Sequence, residues 1–441
     1  MMTRRKSLAG TISRCRIFVV SLLLLSSPQA TAHGEEVNAD AAPGDQIDVS
    51  PDSSAGQDVR IVVGFDGSCP HNPAGVRREG PRKFTIYPSW RSSPGIDEEA
   101  VGRSTRLGFK VVNAGNTSVP VDLSIDWQYH DAPPKDRPNF SSVEEYMSYR
   151  DFVSVQRPNS DRWRTVMVDV DDSVACLRLD APQGETEVHW HPSYNYTQSE
   201  QFVESLRGHP LVEIEKIGES PEKRNLWMLR ITDRSTHPKK SFLIRSRVHA
   251  YESAASYNME GMVRWLLSGE AYAAQALRRY VFYVIPMANP DGVYNGLGSL
   301  TSPRGISLSS IPYQPDEINL PFKKAIDRVR PVVAVDLHNW QNKHTDGLLG
   351  LDPEIREHFV RFMPDQLQFG KRWDIRDPEP LSTEAPAKEF LRYYCQRNFG
   401  AVGVTFEFPW FGRNPQDMRD TGCQALWALL RALDPPPGKL R

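Results

Sequence analysis

Residues 241–262 read "SFLIRSRVHAYESAASYNMEGM". The first part, Phe242 to Val248, reads as an apolar run, and the last part repeats apolar residues at helical spacing. Between them lies His249-Ala-Tyr-Glu252. A strand that passes into a helix through so short a turn is a unit of an α/β sheet. Open sheets of that kind build their sites at the carboxyl ends of their strands. An imidazole and a carboxylate three residues apart can chelate one zinc ion from a single turn, provided a third ligand arrives from elsewhere. The tetrapeptide also reads as a helix start with a His and a Glu and no metal, because H-x-x-E often arises by chance.

Downstream of residue 191 the pattern continues in the same manner. "YVFYVIPMANPDG", "PVVAVDLHNW" and "AVGVTFEFPW" read as buried strands, the first ending in the turn Asn289-Pro-Asp-Gly292. "SEQFVESLRG", "NMEGMVRWLLSG", "EAYAAQALRR", "PDEINLPFKKAIDRV" and "QALWALLRAL" read as helices, and "VEIEKIG" with "NLWMLRIT" as a pair of strands. Strands alternating with helices predict an α/β fold over 191–435: a mixed, largely parallel sheet flanked by helices.

Upstream, residues 59–190 carry short runs rich in Val, Ile and aromatics, separated by turn-forming clusters such as "NAGNTS" and "DAPQGET". "VPVDLSIDW" alternates in the manner of a half-buried strand. A small all-β sandwich is expected there, with 131–163 as a long insertion. Residues 33–58 are acidic and rich in small residues, Pro and Gly, and read as a disordered linker. Residues 1–32 combine Arg4, Arg5 and Lys6, an apolar core from Ile17 to Leu25 and a small-x-small site at Ala30-Thr31-Ala32. That order is a secretory signal peptide, so an exported protein (periplasmic or secreted) is expected, with no membrane attachment after cleavage.

A chain of 441 residues with a formal charge of −2 has room for two or three domains and no basic stripe for nucleic acid. Removal of Cys15 leaves Cys69, Cys176, Cys395 and Cys423, and two readings stand: disulfides Cys69–Cys176 and Cys395–Cys423, or buried thiols. Asn116, Asn139 and Asn195 begin glycosylation sequons, meaningful only where that machinery exists. His189 and His191 alternate on one strand face, where packing histidines are the commoner outcome than ligands.

Two buried strands end in chemically active residues. "PVVAVDLHNW" delivers His338, with Asp336 two residues earlier, and "AVGVTFEFPW" delivers Glu407. A buried His or Glu needs a partner, since an unpaired buried charge is costly. With His249 and Glu252 they form three N/O ligands and one spare carboxylate, the make-up of a catalytic Zn2+ site with a position left for water. Zinc lowers the pKa of its water to about 7, and a spare carboxylate can take the proton.

The segments "YNYTQSEQFVESLRGHPLVEIEKIG", "RSRVHAYES", "YVIPMANPDGVYNG", "VDLHNW" and "TFEF" resemble the zinc carboxypeptidase family, in that family's order, across roughly 165–410. The whole chain resembles its cytosolic-carboxypeptidase-like branch, in which a small β-sandwich precedes the peptidase domain. The resemblance implies a zinc-dependent hydrolase of a C-terminal peptide or other amide bond, with His249, Glu252 and His338 as zinc ligands and Glu407 as general base.

The family also carries an oxyanion arginine soon after N-P-D-G, and then an Asn-Arg pair that holds the substrate's terminal carboxylate. Here "GISLSS" stands at that place, so Ser309 and Ser310 occupy the pair's positions and Arg304 is the arginine available to the oxyanion. Serine cannot reproduce the bidentate grip of a guanidinium. Three readings follow. Arg304 serves the oxyanion while Arg413, just beyond Glu407, holds the carboxylate; or the substrate is an amide without a free terminal carboxylate; or the protein binds zinc and peptide without catalysis. His344, Tyr393 and Tyr394 are further candidates for substrate contact, and Asp336 for orienting a ligand.

Overall fold

The computed structural model describes residues 47–48, 58–71, 73–88, 106–126, 151–171, 174–298, 301, 305–340, 345–364 and 373–434. Residues 1–32, Arg304, His344 and Asn139 lie outside the described residues.

Two sheets face one another in the amino-terminal part. One runs in the order Ile47–Asp48, Val59–Val63, Gly108–Asn113, Gly184–His189, Phe152–Gln156, Trp163–Met167. The other runs Val76–Gly80, Lys83–Ile86, Val119–Asp126, Val174–Ala181, Asp169–Asp171. Strict alternation explains the arrangement: Val119, Val121, Leu123 and Ile125 turn inward, while Pro120 and Asp122 face water. Ile61, Phe84, Phe109 and Val188 fill the space between the sheets. Phe152–Gln156 departs from the expected insertion, because its Val153 and Val155 alternate into that core.

The carboxy-terminal part is organised by one eight-stranded sheet. Its strands in chain order are β1 (Val212–Glu219), β2 (Asn225–Ile231), β3 (Lys240–Ser246), β4 (Tyr280–Ile285), β5 (Val333–His338), β6 (Gly347–Leu349), β7 (Asp374–Arg376) and β8 (Val402–Glu407). The spatial order is β1-β2-β4-β3-β5-β8-β6-β7. The central four, β4-β3-β5-β8, are parallel, whereas β1–β2, β2–β4 and β8–β6 pair antiparallel. The central strands are buried on both faces, as a sheet covered by helices requires.

The covering helices are α1 (Tyr196–Ser205), α2 (Ser253–Leu266), α3 (Ala271–Arg279), α4 (Pro290–Tyr294), α5 (Leu320–Val329), α6 (Pro353–Phe362), α7 (Leu391–Phe399) and α8 (Pro415–Leu433). The Asn-Pro-Asp-Gly segment, expected as a turn, forms the short helix α4 with Pro290 in its first position. Helices α2 and α8 touch backbone to backbone: a Cβ at Gly261 would stand 1.9 Å from the Arg419 carbonyl, and one at Gly422 2.0 Å from that of Asn258. No described helix is long and apolar enough to cross a membrane.

The β-sandwich is tied to the carboxy-terminal part by buried hydrogen bonds. Gly67 N donates to Tyr294 O at 2.9 Å, and Arg106 Nη1 donates to Val293 O at 3.0 Å. Asp66 accepts from Tyr196 N (3.1 Å) and Thr197 N (2.7 Å), capping α1 from outside. The Asn195 side chain caps the same helix, so this sequon asparagine is already spent on structure. Cys69, Cys176, Cys395 and Cys423 form no disulfide, which removes the first of the two cysteine readings.

Candidate metal centre

The sheet topology brings the candidate residues together. β3, β5 and β8 are neighbours, and their carboxyl ends deliver the 249–252 turn, His338 and Glu407 side by side. His338 and Glu407 are paired residues in the β5–β8 register. Arg247, just after β3, takes a left-handed backbone (φ 61°), unusual for a residue with a side chain, and this bends the chain out of the strand before His249. The bend is braced from α4: Asn289 N donates to Arg247 O (3.1 Å), and Asn289 Nδ2 to Val248 O (3.2 Å). Asn339 Oδ1, next to His338, accepts from Ala254 N at 3.1 Å and so ties the start of α2 to the end of β5.

His249, Glu252 and His338 each offer one ligand atom, all within 4.8 Å of one another. His249 Nδ1 stands 2.9 Å from Glu252 Oε1, and His338 Nδ1 stands 2.8 Å from Glu252 Oε2 and 3.3 Å from His249 Nδ1. The Oε2–Nδ1 approach is that of an ion pair without hydrogen-bond alignment, which leaves Glu252 Oε2 buried with no hydrogen-bond partner. Two nitrogens and a carboxylate converging on one point, with an orphaned buried oxygen among them, fit a divalent transition-metal ion.

Electrostatics support that fit. Burial would raise the Glu252 pKa, but the His249 and His338 imidazoles outweigh it and hold the carboxyl at about 2. Burial would lower His338, whereas Glu252 and Asp336 lift it well above the usual histidine value. Asp336 Oδ2 lies 3.3 Å from His338 Nε2, so the ring is gripped from both sides. Arg245 in turn holds Asp336 through Nε (2.9 Å) and Nη2 (2.6 Å), and its Nη1 and Nη2 also donate to Leu308 O (3.0 Å) and Ser309 O (3.2 Å). Burial would raise Asp336, but Arg245 and His338 hold it below the normal carboxylate range.

Glu407 is 8% exposed, and its Oε2 is buried without a hydrogen-bond partner. Burial, with the negative charges of Glu252 and Asp336, pushes its pKa well above the usual value, while His338 and Arg376 pull it down. Trp340 packs beside it: a Cβ on Gly347 would sit 2.5 Å from the Trp340 ring and 2.7 Å from Glu407 Cβ. The Arg376 guanidinium lies 5.6 Å from the Trp340 ring centroid.

Several sequence candidates lie elsewhere. Arg413 is bound to Asp346 through both Nη atoms (2.6 and 2.8 Å) with a side chain only 5% exposed, so it is an internal brace and not a free carboxylate grip. Ser309 Oγ is paired with Ser307 Oγ at 2.7 Å, and Ser310 begins a two-stranded ladder with Phe390. Tyr394 donates to Asp327 (2.6 Å), and Tyr393 Oη accepts from Glu379 N (3.3 Å). His189 pairs with Glu187 at 3.3 Å, and His191 stacks on Trp190 at 4.2 Å. Arg245, Asn339, Trp340 and Arg376 escaped the sequence reading; charged residues inside an otherwise apolar strand, as Arg245 is, were the one available signal.

Residues 200–298 match the Peptidase_M14 family, described as zinc carboxypeptidase, over a stretch that holds His249 and Glu252 and ends before His338 and Glu407. Cytosolic carboxypeptidase 6 of Mus musculus is 34% identical over 109 residues, covering 23% of this chain and 20% of the mouse protein. Cytosolic carboxypeptidase-like protein 5 of Danio rerio is 44% identical over 72 residues, 16% of this chain and 8% of that one. The chain thus matches a fifth or less of the length of these relatives.

The metallo-carboxypeptidase of Burkholderia cenocepacia superposes with a TM-score of 0.66 at 17% identity, covering 85% of this chain and 99% of the other. That of Pseudomonas aeruginosa gives 0.62 at 15%, covering 85% and 98%. These two show that the fold, from the β region through the mixed sheet, is that of metallocarboxypeptidases. The expectation of export is corrected here: the curated relatives are named as cytosolic carboxypeptidases, which points away from an exported protein.

Proposed function

We propose that the chain is a zinc-dependent hydrolase of the carboxypeptidase type, cleaving a C-terminal peptide bond or a related amide. The observation that carries this reading is the convergence of His249, Glu252 and His338 within 4.8 Å beside the buried, unpartnered carboxylate of Glu407. Zinc held by those three residues would supply a Lewis acid that lowers the pKa of water to about 7.

Glu407 is the general base in this scheme. Its Oε2 takes a proton from the attacking water as the amide carbonyl carbon is approached, and returns it to the leaving nitrogen. A carboxyl whose pKa is raised by burial and neighbouring negative charge is a stronger base than an ordinary carboxylate, and a pKa nearer the working pH suits it to take the proton and then return it. Trp340 and the Cβ of Glu407 both pack against Gly347. Asp336 holds the His338 ring, and Arg245 holds Asp336.

One observation favours an amide substrate without a free terminal carboxylate. Arg413 is committed to Asp346, and the Ser309–Ser310 segment offers no positive charge. The test is turnover of free peptides, carboxyl-blocked peptides and acyl-amino acids by the zinc-loaded protein beside Glu407→Gln. Loss of about 10²–10⁴ in kcat with unchanged zinc content is expected for the variant. Equal inertness of both proteins on the whole panel would sink the hydrolase reading, and cleavage of blocked substrates alone would establish the amidase form.

A further inference from the structure

Three hydrogen bonds tie the metal-binding turn to the stretch 289–298. Asn289 N donates to Arg247 O (3.1 Å), Asn289 Nδ2 to Val248 O (3.2 Å), and Tyr251 N to Gly298 O (3.2 Å). Both ends of the stretch are used, one just ahead of His249 and the other between His249 and Glu252. The stretch itself is only the five residues of α4 and a loop. A helix of so few residues has no stability of its own, so its place is set by what packs on it.

Two parts of the molecule fix that place. At the start of α4, Asp291 accepts from Ser220 Oγ (2.6 Å) and Arg224 Nη1 (2.7 Å), both in the connection between β1 and β2. Beyond it, the β-sandwich takes over. Arg106 Nη1 donates to Val293 O (3.0 Å) and its Nη2 to Gly67 O (3.3 Å), while Gly67 N donates to Tyr294 O (2.9 Å). Gly296, with a left-handed backbone (φ 65°), lies so close that a Cβ there would stand 1.8 Å from Ser68 O. The seam is therefore backbone against backbone, without slack. Arg106 is buried, and both of its hydrogen-bond acceptors are neutral carbonyls. Burying a charge in such company is costly, and what it supplies in return is a rigid fork that spans the sandwich loop and the stretch at once.

We propose that Arg106 is a positioning residue for the metal centre: through Val293 and the 289–298 stretch, it fixes where the 249–252 turn presents its two ligands. Metal–ligand distances hold to within about 0.2 Å, so a small shift of the stretch weakens metal binding while the sandwich stays folded. Linkage requires the converse, that metal bound at the turn tightens the seam. The proposal rests on the reading of His249, Glu252 and His338 as zinc ligands.

The test needs no catalytic activity. Competition with a chromophoric chelator reads zinc affinity, and Arg106→Gln should bind zinc about 3–30-fold more weakly. Val121→Ala, in the core of the sandwich and outside this set of contacts, should lower Tm and leave zinc affinity unchanged. Hydrogen exchange in the wild-type chain needs no variant, and it decides alone if Arg106→Gln does not fold. Zinc should slow exchange of the Gly67 N–H by a similar factor. It should leave unchanged the Ala114 N–H, which bonds to Asp58 O at 2.7 Å beyond the other end of the strand that starts at Gly108. Unchanged affinity in Arg106→Gln, an equal loss in Val121→Ala, or an equal response at Gly67 and Ala114 would overturn the proposal and leave the zinc site standing. A wild-type chain that binds no zinc would overturn both.

Discussion

Replacement of Arg245 by Gln tests the support behind the metal centre. Arg245 and Asp336 have side chains 1% and 3% exposed and are joined through two short bonds. Removing one member of a buried ion pair costs about 3–5 kcal/mol, because the other is left charged and unsolvated. His338 remains 3.3 Å from Asp336 and compensates in part, so the lower end, about 3 kcal/mol, is expected. Burial would raise the Asp336 pKa, but the folded protein depresses it, so this contribution is complete above about pH 4 and fades as the pH falls further. Equilibrium urea unfolding of the metal-free chain measures it. The double variant Arg245→Met/Asp336→Leu removes both charges and should regain most of the loss. It should also bind zinc about 10–100-fold more weakly, since His338 Nε2 loses its acceptor; competition with a chromophoric chelator reads this. A single variant costing under about 1 kcal/mol, or a double variant no more stable than the single, would refute the reasoning.

Zinc uptake near pH 7 should release about one proton and tighten as pH rises, because Glu252 and Asp336 keep His338 protonated above its ordinary range in the metal-free protein. Calorimetry in two buffers of different ionisation enthalpy checks this, and no buffer dependence would count against it. Arg376→Gln removes a positive charge that lowers the Glu407 pKa, so the acidic limb of kcat/KM should move to higher pH; an unmoved or lowered limb would dissociate the two residues. Gly422→Ala should destabilise by about 1–3 kcal/mol or more, since its Cβ meets the Asn258 backbone at 2.0 Å, and urea unfolding at or above wild-type stability would contradict the close helix crossing.

The four residues at the centre of the site were legible in the sequence because each stands at the end of a buried run, where polarity is conspicuous. His338 ends β5 and Glu407 ends β8, and parallel neighbours put both ends on one edge. What holds those residues was not legible. Arg245 falls inside the run that leads to His249, and its partner comes from a distant position: Asp336 is 91 residues away. Arg413 shows the converse error. Nearness in sequence to Glu407 suggested a substrate grip, but a buried guanidinium takes the nearest buried carboxylate, and Asp346, 67 residues away, is that group. The strand Phe152–Gln156 was obscured by the charged segment around it, although Val153 and Val155 carry the alternation.

The segment "GISLSS" has consequences beyond the loss of charge. Its Leu308 and Ser309 carbonyls are both acceptors for Arg245, so the backbone faces a buried guanidinium that is itself bound to Asp336. The Ser307 and Ser309 hydroxyls satisfy each other at 2.7 Å. A carboxylate arriving there would meet no cation from the segment itself, since the positive charge of Arg245 is already neutralised by Asp336. Binding an anion by one or two serine hydroxyls, without a compensating charge, gains far less than a bidentate guanidinium pair. Such a segment would favour a neutral group on the proposed substrate. Replacing Ser310 by Arg supplies the missing charge in a partly exposed strand end. If the proposed hydrolase prefers blocked ends for this reason, the variant should lower KM for free-carboxylate peptides relative to blocked ones. An unchanged ratio would show that the terminal group is bound somewhere else.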